Sequence, residues 1–253
     1  MIGRSLDACG EIPAAKLAEV LAAVVAQHRT ALALGASHVR CLATAGVRRA
    51  RNGAALAAMV RRACDGLEVE ILSGEQEARL AFIGAVHRLE AGAAVGVVDV
   101  GGGSCELVLG EAPDRVRWWA SLPLGSSDVT ERWLRDDPPG VDALARAAGL
   151  LARELEGCAP PGSVERVLAV GGSATSLRAL AGPRLEPARI ESLLARAAAS
   201  ASPELARALG IERERARLLA GGLLILRAVQ ALFGAALELG EGGVREGALL
   251  DHQ

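Results

Sequence analysis

The chain has 253 residues, of which 51% are apolar and only 2% aromatic, and its formal net charge is −2. A chain of this length forms one large domain or two smaller ones. The near-neutral charge and the scarcity of aromatic rings argue against nucleic-acid binding, which uses a basic surface and stacking platforms. The same charge balance provides no basic field that would draw the chain to an anionic membrane.

Cysteine and histidine give no sign of a disulfide framework or a transition-metal site. The five cysteines are scattered without a CxxC pair, and the four histidines form no HExxH pattern. An odd number of scattered cysteines is typical of a reducing compartment. No secretory signal pattern is present in the first residues. We therefore expect a cytoplasmic protein.

The first part of the chain alternates helix and strand patterns. Apolar residues at helical spacing predict a helix from Pro13 to about Leu34, and the stretch His38–Thr44 predicts a strand. A second helix is predicted over Asn52–Cys64, with Asn52 as its N-cap. A strand at Leu67–Leu72 and a helix from Gly74 to about Leu89 follow.

A turn of small residues near Ala91–Ala94 marks the predicted domain boundary, which divides the chain into residues 1–92 and 93–253. Predicted strands follow at Val95–Val100, Cys105–Leu109, Trp118–Leu122 and Val167–Val170, and predicted helices at Val141–Glu156, after Ser173 to Leu180, Arg189–Ala199, Pro203–Leu209, Ala216–Phe233 and from Val244. The most apolar stretch, Leu218–Leu239, contains Arg227 and Gln230 and indicates a buried helix rather than a membrane span. Alternating strands and helices predict an α/β fold.

The segment VVDVGGGSCELVL at Val97–Leu109 is the richest in chemistry. A strand follows its glycines, whereas a dinucleotide-binding turn opens a helix and a Walker A loop needs Gly-Lys-Ser/Thr. The segment therefore predicts a hairpin that brings Asp99 and Glu106 together, where two carboxylates could hold Mg²⁺. Backbone N–H groups of the turn could cradle a phosphate. The residues of this cradle are Gly101, Gly102, Gly103 and Ser104. The alternative is a plain hairpin with incidental acids.

The helix predicted after ILSG opens with Glu75, Gln76 and Glu77, two acids that flank an amide. The helix dipole alone favours acids in a first turn. The functional alternative is that one of them orients or deprotonates an attacking water.

A second glycine turn, Gly171-Gly172-Ser173, joins a buried strand to a helix. Such a turn can bind an anion at the helix N-terminus, or it can be an ordinary strand-to-helix connection. The sequences VDVGGGS and LAVGGSATS form a weak internal echo. Arginines in Ala43–Asn52 and Gly243–Asp251 could clamp a phosphate, although singly they could equally be surface or ion-paired residues.

Taken in order, these segments resemble the Ppx/GppA family of exopolyphosphatases and guanosine pentaphosphate phosphohydrolases. The matching segments are LATAGVRRARN, ILSGEQEARLAFIGA, VVDVGGGSCELVLGE, SLPLGSSDVTERWLRDDPP, VLAVGGSATSL and GGVREGALLD. The resemblance implies the actin-like α/β fold with two RNase H-like domains. The family opens with a strand bearing an Asp-x-Gly-Ser loop, whereas this chain starts at residues that resemble the following segment, so the first domain is expected to be incomplete.

The resemblance also implies roles for individual residues. Glu77 corresponds to the catalytic carboxylate, and Asp99 and Glu106 to the acids of the second phosphate loop. Arg48 and Asn52 correspond to a phosphate-binding pair in the first domain. The turn formed by Gly171, Gly172 and Ser173 corresponds to the distal phosphate turn.

One position departs from the family pattern. Members commonly carry Arg where this chain has Asp128, and a carboxylate there is expected to repel a polyanion.

The implied activity is Mg²⁺-dependent removal of terminal phosphate from inorganic polyphosphate, or of the 5′ γ-phosphate from guanosine pentaphosphate (pppGpp), by a homodimer. Asp128 and the missing first loop motivate a different hypothesis, binding of phosphorylated ligands without cleavage. A third hypothesis, an actin-fold kinase, ranks last because such kinases do not generally share Glu77 ahead of the glycine hairpin.

Overall fold

The structure is a computed structural model that describes residues 9–251. Residues 1–8, which hold most of the segment Ile2–Pro13, lie outside the described residues, as do residues 252 and 253. Contacts divide the chain into two units, Met1–Ser73 and Gly74–Gln253. This division precedes the predicted boundary at residue 92 because the helix Gly74–Val86 packs Phe82 and Val86 against strands of the second unit.

The first unit contains three helices and two short strands within its described part. They are α1 (Ala14–Ala33), β1 (Cys41–Ala43), α2 (Ala45–Arg48), α3 (Gly53–Ala63) and β2 (Val69–Ile71). The two strands pair in parallel, with Cys41 opposite Val69. Their small core is formed by Ile12, Ala43, Val47, Leu56, Val60 and Cys64, and one face of α1 covers it.

The second unit contains the remaining elements and a much larger core. They are α4 (Gly74–Val86), β3 (Ala94–Val100), β4 (Cys105–Glu111), β5 (Arg115–Leu122), α5 (Ser126–Trp133), α6 (Val141–Glu154), β6 (Val167–Val170), α7 (Gly171–Ala181), β7 (Arg184–Leu185), α8 (Pro187–Ala199), α9 (Ser202–Leu209), α10 (Arg213–Phe233), β8 (Leu237–Leu239) and α11 (Val244–Leu250). Two of these, α5 and β7, lie where no helix or strand was predicted.

The strands of the second unit form one six-stranded mixed sheet in the order β5-β4-β3-β6-β8-β7. β3, β4 and β5 are antiparallel neighbours, whereas β3, β6 and β8 are parallel. The carboxyl ends of these three parallel strands therefore meet at one edge of the sheet. Ligands of open α/β sheets bind at such an edge, and the turns that follow β3, β6 and β8 all contain glycines.

Helices cover both faces of this sheet. Val98 and Val100 belong to the large core on one face, which includes α6, α8 and α10, whereas Val95 and Val97 pack with α4 on the other. Since successive side chains of a strand point to opposite faces, Asp99 shares the face of α4. This alternation decides where the acidic side chains meet.

Helix α10 has the length and apolar composition of a membrane span, and 67% of its most apolar window is buried inside the protein. It packs as a core helix, with residues such as Leu223 and Leu226 fully buried. The apolar stretch predicted as one buried helix, Leu218–Leu239, divides between α10 and β8.

Candidate active site

Asp99 and Glu106 lie directly opposite each other on β3 and β4, and Glu106 in turn lies opposite Ser121 on β5. All three residues are on the face covered by α4. Both acids are buried, with Glu106 only 1% exposed. Like charges directly opposite on neighbouring strands destabilise a sheet, and burial of a carboxylate without a partner is costly. A pair of this kind therefore indicates a binding function.

Hydrogen bonds fix the carboxyl group of Glu106 on both sides. Ser121 Oγ donates to Glu106 Oε1 at 2.9 Å, and Ser104 Oγ donates to Glu106 Oε2 at 3.3 Å. One serine comes from the glycine turn and the other from the neighbouring strand. The carboxyl group is thus held in a defined orientation while each oxygen keeps a further lone pair.

Glu77 lies in the first turn of α4 and is buried. Burial, together with the smaller effect of the negative charge of Glu77, raises the pKa of Asp99 to about 7. Burial also raises the pKa of Glu106 to about 9, assisted by Glu77 and then Asp99, while hydrogen bonds from Ser121 and Ser104 oppose the shift. The charge of Glu77 reaches both acids, so the structure brings the three predicted carboxyl groups together.

The glycine turn after β3 is a hairpin, and α5 holds its carbonyl groups. Gly101 N–H donates to Ser104 O at 3.1 Å, and Gly101 O accepts bonds from Ser126 N at 3.0 Å and Ser126 Oγ at 3.2 Å. Gly102 O accepts from Ser127 N at 2.9 Å. Because C=O and N–H of a trans peptide point in opposite directions, the N–H groups of Gly102 and Gly103 are directed away from α5.

The turn after β6 lies against Asp99. Gly171 has φ of +86°, and a Cβ at this position would overlap Asp99 Oδ1 and stand 2.9 Å from Val100 O. Gly171 also opens α7, whose eleven residues end at Ala181. The N-terminus of α7 therefore lies beside the buried carboxyl group of Asp99, at the edge where β3 and β6 end.

A cleft of about 560 Å³ opens from Asp99 along this edge. Glycines of two turns form much of its wall, and three arginines and three acids complete it. The lining residues are Asp99, Gly171, Gly172, Thr175, Arg178, Arg215, Gly240, Glu241, Gly242, Gly243, Val244, Arg245 and Glu246. Arg215 donates to Gly172 O and Ser176 Oγ, each at 3.0 Å, and so ties α10 to the first turn of α7.

A family model described as the Ppx/GppA phosphatase family matches residues 2–253. The chain belongs to the Ppx/GppA phosphatase family. It is 30% identical to exopolyphosphatase 1 of Mycobacterium tuberculosis over 98% of this chain and 77% of that protein. It is 33% identical to exopolyphosphatase 2 of the same species over 71% of this chain and 58% of that protein.

Solved structures of the Ppx/GppA family share the fold. The crystal structure of the Aquifex aeolicus member matches with a TM-score of 0.82 and 27% identity, covering 98% of this chain and 85% of that one. An exopolyphosphatase-like protein matches with a TM-score of 0.86 at 24% identity, over 99% of this chain and 88% of that one. The predicted α/β fold of the Ppx/GppA family is therefore confirmed.

The donor set of this Ppx/GppA member fits Mg²⁺, a hard cation that prefers carboxylate oxygens. Asp99 and Glu106 are the two acids that could hold it. Within residues 9–251 no group of three or more His, Cys, Asp and Glu side chains is arranged to hold a metal ion. Such a group is not required, because Mg²⁺ commonly uses one or two carboxylates together with water and substrate phosphates.

The two phosphate ligands predicted in the first unit both contact backbone in that unit. Arg48 donates to Leu72 O at 2.6 Å. Asn52 accepts from Ile12 N and donates to Ile12 O, both at 2.9 Å. Asn52 occupies the predicted N-cap position of α3, but its side chain makes no capping hydrogen bond there. Phosphate binding by Arg48 and Asn52 stays a prediction.

Asp128 has a structural role that the family pattern did not reveal. It is buried in the first turn of α5, accepts a bond from Gly125 N at 3.1 Å, and lies 3.5 Å from Arg132. The carboxylate thus caps the helix, and its charge has a cationic neighbour. The expectation that the charge of Asp128 repels a polyanion stays a prediction.

Sequence reasoning missed Ser121, Arg178 and Arg215. Ser121 lies fifteen positions from Glu106 and Arg215 forty-three from Gly172, so no local pattern links them. The one available signal for Ser121 was a small polar residue next to the end of a strand that carries two tryptophans.

Proposed function

We propose that this chain hydrolyses the terminal phosphoanhydride bond of inorganic polyphosphate. The observation that carries the proposal is the group of buried acids Glu77, Asp99 and Glu106 beside two glycine turns. Membership of the Ppx/GppA phosphatase family and similarity to two proteins named exopolyphosphatase support it.

The chain's own groups have separate tasks in this reaction. N–H groups of Gly102 and Gly103 bind oxygens of the terminal phosphoryl group. The turn at Gly171–Ser173 binds phosphate at the edge of the site. Glu77 accepts a proton from water as the water oxygen bonds to the terminal phosphorus. The bridging P–O bond breaks, and its oxygen leaves with the shortened chain. We assign Glu77 this task because it is the acid that opens a helix facing the other two.

Asp99 and Glu106 are proposed to hold Mg²⁺. When bound, this cation would neutralise charge on the phosphate oxygens. Both acids have a raised pKa, so in the absence of a cation they tend to retain protons near neutrality. This is the behaviour expected of a paired-acid site that needs a positive partner.

The test is release of orthophosphate from polyphosphate in the presence of Mg²⁺. The full chain should release phosphate, and Glu77→Gln should reduce the rate by about 100-fold or more. Glu75→Gln is the matched control, since Glu75 lies exposed in the same helical turn and should retain activity. Equal activity of Glu77→Gln and wild type would contradict the role of Glu77, and absence of release by wild type would contradict the function.

A second candidate substrate, pppGpp, is favoured by the cleft beside Asp99. Its lining carries three arginines (Arg178, Arg215, Arg245) and three acids (Asp99, Glu241, Glu246), so its formal charge balances. A charge-balanced, glycine-walled cleft suits a nucleoside better than a long polyanion. Comparison of kcat/KM for the two substrates decides between them, because a nucleoside site would favour pppGpp.

Binding of phosphorylated ligands without cleavage stays an alternative, and the carboxylate of Asp128 that motivates it also caps α5. The homodimer and the cytoplasmic location stay predictions. Light scattering with chromatography would measure the first, and fractionation of cells the second.

A further inference from the structure

Ser121 connects the two halves of the acid cluster. It is the penultimate residue of β5, and its hydroxyl donates to Glu106 Oε1 at 2.9 Å. It also touches the start of α4, because a Cβ built at Gly74 would stand 2.8 Å from both Ser121 Cβ and Ser121 Oγ. Glu77 lies three residues after Gly74. One small side chain therefore contacts the acid of the sheet and the beginning of the helix that carries Glu77.

The pairing of residues across the sheet shows how Ser121 affects the acid pair. Ser121, Glu106 and Asp99 are consecutive register partners on β5, β4 and β3. Without Ser121, Glu106 Oε1 would lose its hydroxyl donor while Glu106 Oε2 kept Ser104. The carboxyl group would then be held at one oxygen and could rotate. The lone pairs available to a cation would then no longer have a fixed orientation.

We propose that Ser121 is a positioning residue that holds Glu106 in the orientation needed to bind a divalent cation. This inference rests on the proposed function, in which Asp99 and Glu106 hold Mg²⁺. Partners that orient ligating carboxylates affect metal affinity by roughly 10–100-fold. Ser121→Ala removes only the hydroxyl oxygen of a half-buried side chain. The variant therefore changes the packed volume little.

The experiment measures Mn²⁺ binding by electron paramagnetic resonance, with Mn²⁺ as an oxygen-preferring stand-in for Mg²⁺. Ser121→Ala is expected to weaken Mn²⁺ binding about tenfold. In the phosphate-release assay, the Mg²⁺ concentration for half-maximal rate should rise by a similar factor, while kcat at saturating Mg²⁺ should change less.

Ser202→Ala is the matched control. Ser202 lies at the start of α9, and its Oγ donates to the carboxylate of Asp137. This variant therefore also removes one serine–carboxylate hydrogen bond from the second unit. It should lower the melting temperature without changing Mn²⁺ affinity. If Ser121→Ala does not fold, as judged by circular dichroism, Ser121→Cys provides a weaker donor of similar size and should give an intermediate loss of affinity.

The outcomes separate this inference from the proposed function. Mn²⁺ affinity unchanged in a folded Ser121 variant overturns the role of Ser121, while phosphate release by wild type would still support the function. Equal losses of affinity in Ser121→Ala and Ser202→Ala also overturn it, since the effect would then be one of stability. Absence of Mn²⁺ binding by wild type overturns both the inference and the proposed metal site.

Discussion

The two glycine turns of the second unit have similar sequences and different structures. VDVGGGS bends back into β4, whereas LAVGGSATS opens α7. The residues that follow decide the outcome: CELVL is a buried strand pattern, while the alanines and leucines after Ser173 favour a helix. The internal echo in the sequence is therefore no structural repeat.

The turns also differ in where glycine is required. In the second turn the requirement falls on Gly171 itself, which has a positive φ and touches Asp99. In the first turn a Cβ at Gly101 would stand 3.4 Å from Ser104 O, whereas a Cβ at Gly125, outside the turn, would overlap the carbonyl of Gly102. One turn is thus shaped by its own backbone and the other by the helix packed against it.

The largest effect is expected from Gly171→Ala. Alanine at φ of +86° is strained, and its Cβ would displace Asp99. We expect a loss of about 3 kcal/mol in the free energy of unfolding and about a 100-fold loss of phosphate release. Urea denaturation and the phosphate assay measure these changes. Gly172→Ala is the stability control, since its Cβ would meet only Arg215 at 3.5 Å; equal destabilisation by both variants would contradict the special position of Gly171.

A smaller effect is expected from Gly125→Ala. The added Cβ would push the Gly102 carbonyl away from α5, so the hairpin N–H groups would shift. We expect destabilisation by about 2 kcal/mol and about a tenfold loss of activity. Gly149→Ala is the control, because Gly149 lies exposed within α6 with nothing within 4 Å of its Cβ. It should stabilise the chain by about 0.5–1 kcal/mol. A neutral Gly125→Ala would show that α5 does not shape the first turn.

The pH dependence of stability should be the most gradual effect. The folded chain keeps the proton of Asp99 up to about pH 7 and that of Glu106 up to about pH 9, whereas an unfolded chain releases both near pH 4. The folded state therefore binds more protons in this window, and its stability falls as pH rises. Without divalent cations we expect a decrease on the order of a few kcal/mol between pH 5 and pH 9.

Thermal unfolding of wild type and Asp99→Asn at several pH values isolates this contribution. The decrease should be smaller in the variant, and Mg²⁺ should stabilise wild type more at pH 8 than at pH 5, since it binds ionised carboxylates. A wild-type stability that rises in parallel with that of Asp99→Asn over the same range would contradict the raised pKa of Asp99.

Much of the second unit could be predicted from local sequence. Val167–Val170 is a strand with the predicted bounds, and the hairpin pairs Asp99 with Glu106 as expected. Helix α5 was missed because Ser126, Ser127 and Asp128 favour caps and turns over helix interiors. Its stability comes from packing on α10 and from the capping bond of Asp128, which local propensity does not report.

The residues of the candidate site also include some that the sequence could indicate and some that it could not. Asp99 and Glu106 could be grouped because the hairpin pattern pairs them, and Glu77 joined them through the family resemblance. Arg178, Arg215 and Ser121 could not, because their partners come from strands and turns distant in sequence. Asn52 lies at the N-cap of α3 as predicted, but its side chain bonds to the backbone of Ile12 instead of capping the helix.

The most direct test of the proposed paired-acid site is a crystal structure of the full chain soaked with Mn²⁺, examined for anomalous scattering. We expect a Mn²⁺ peak coordinated by the carboxylates of Asp99 and Glu106 on the side facing Glu77. A peak held by other residues, or no peak at these two acids when Mn²⁺ is saturating, would contradict it.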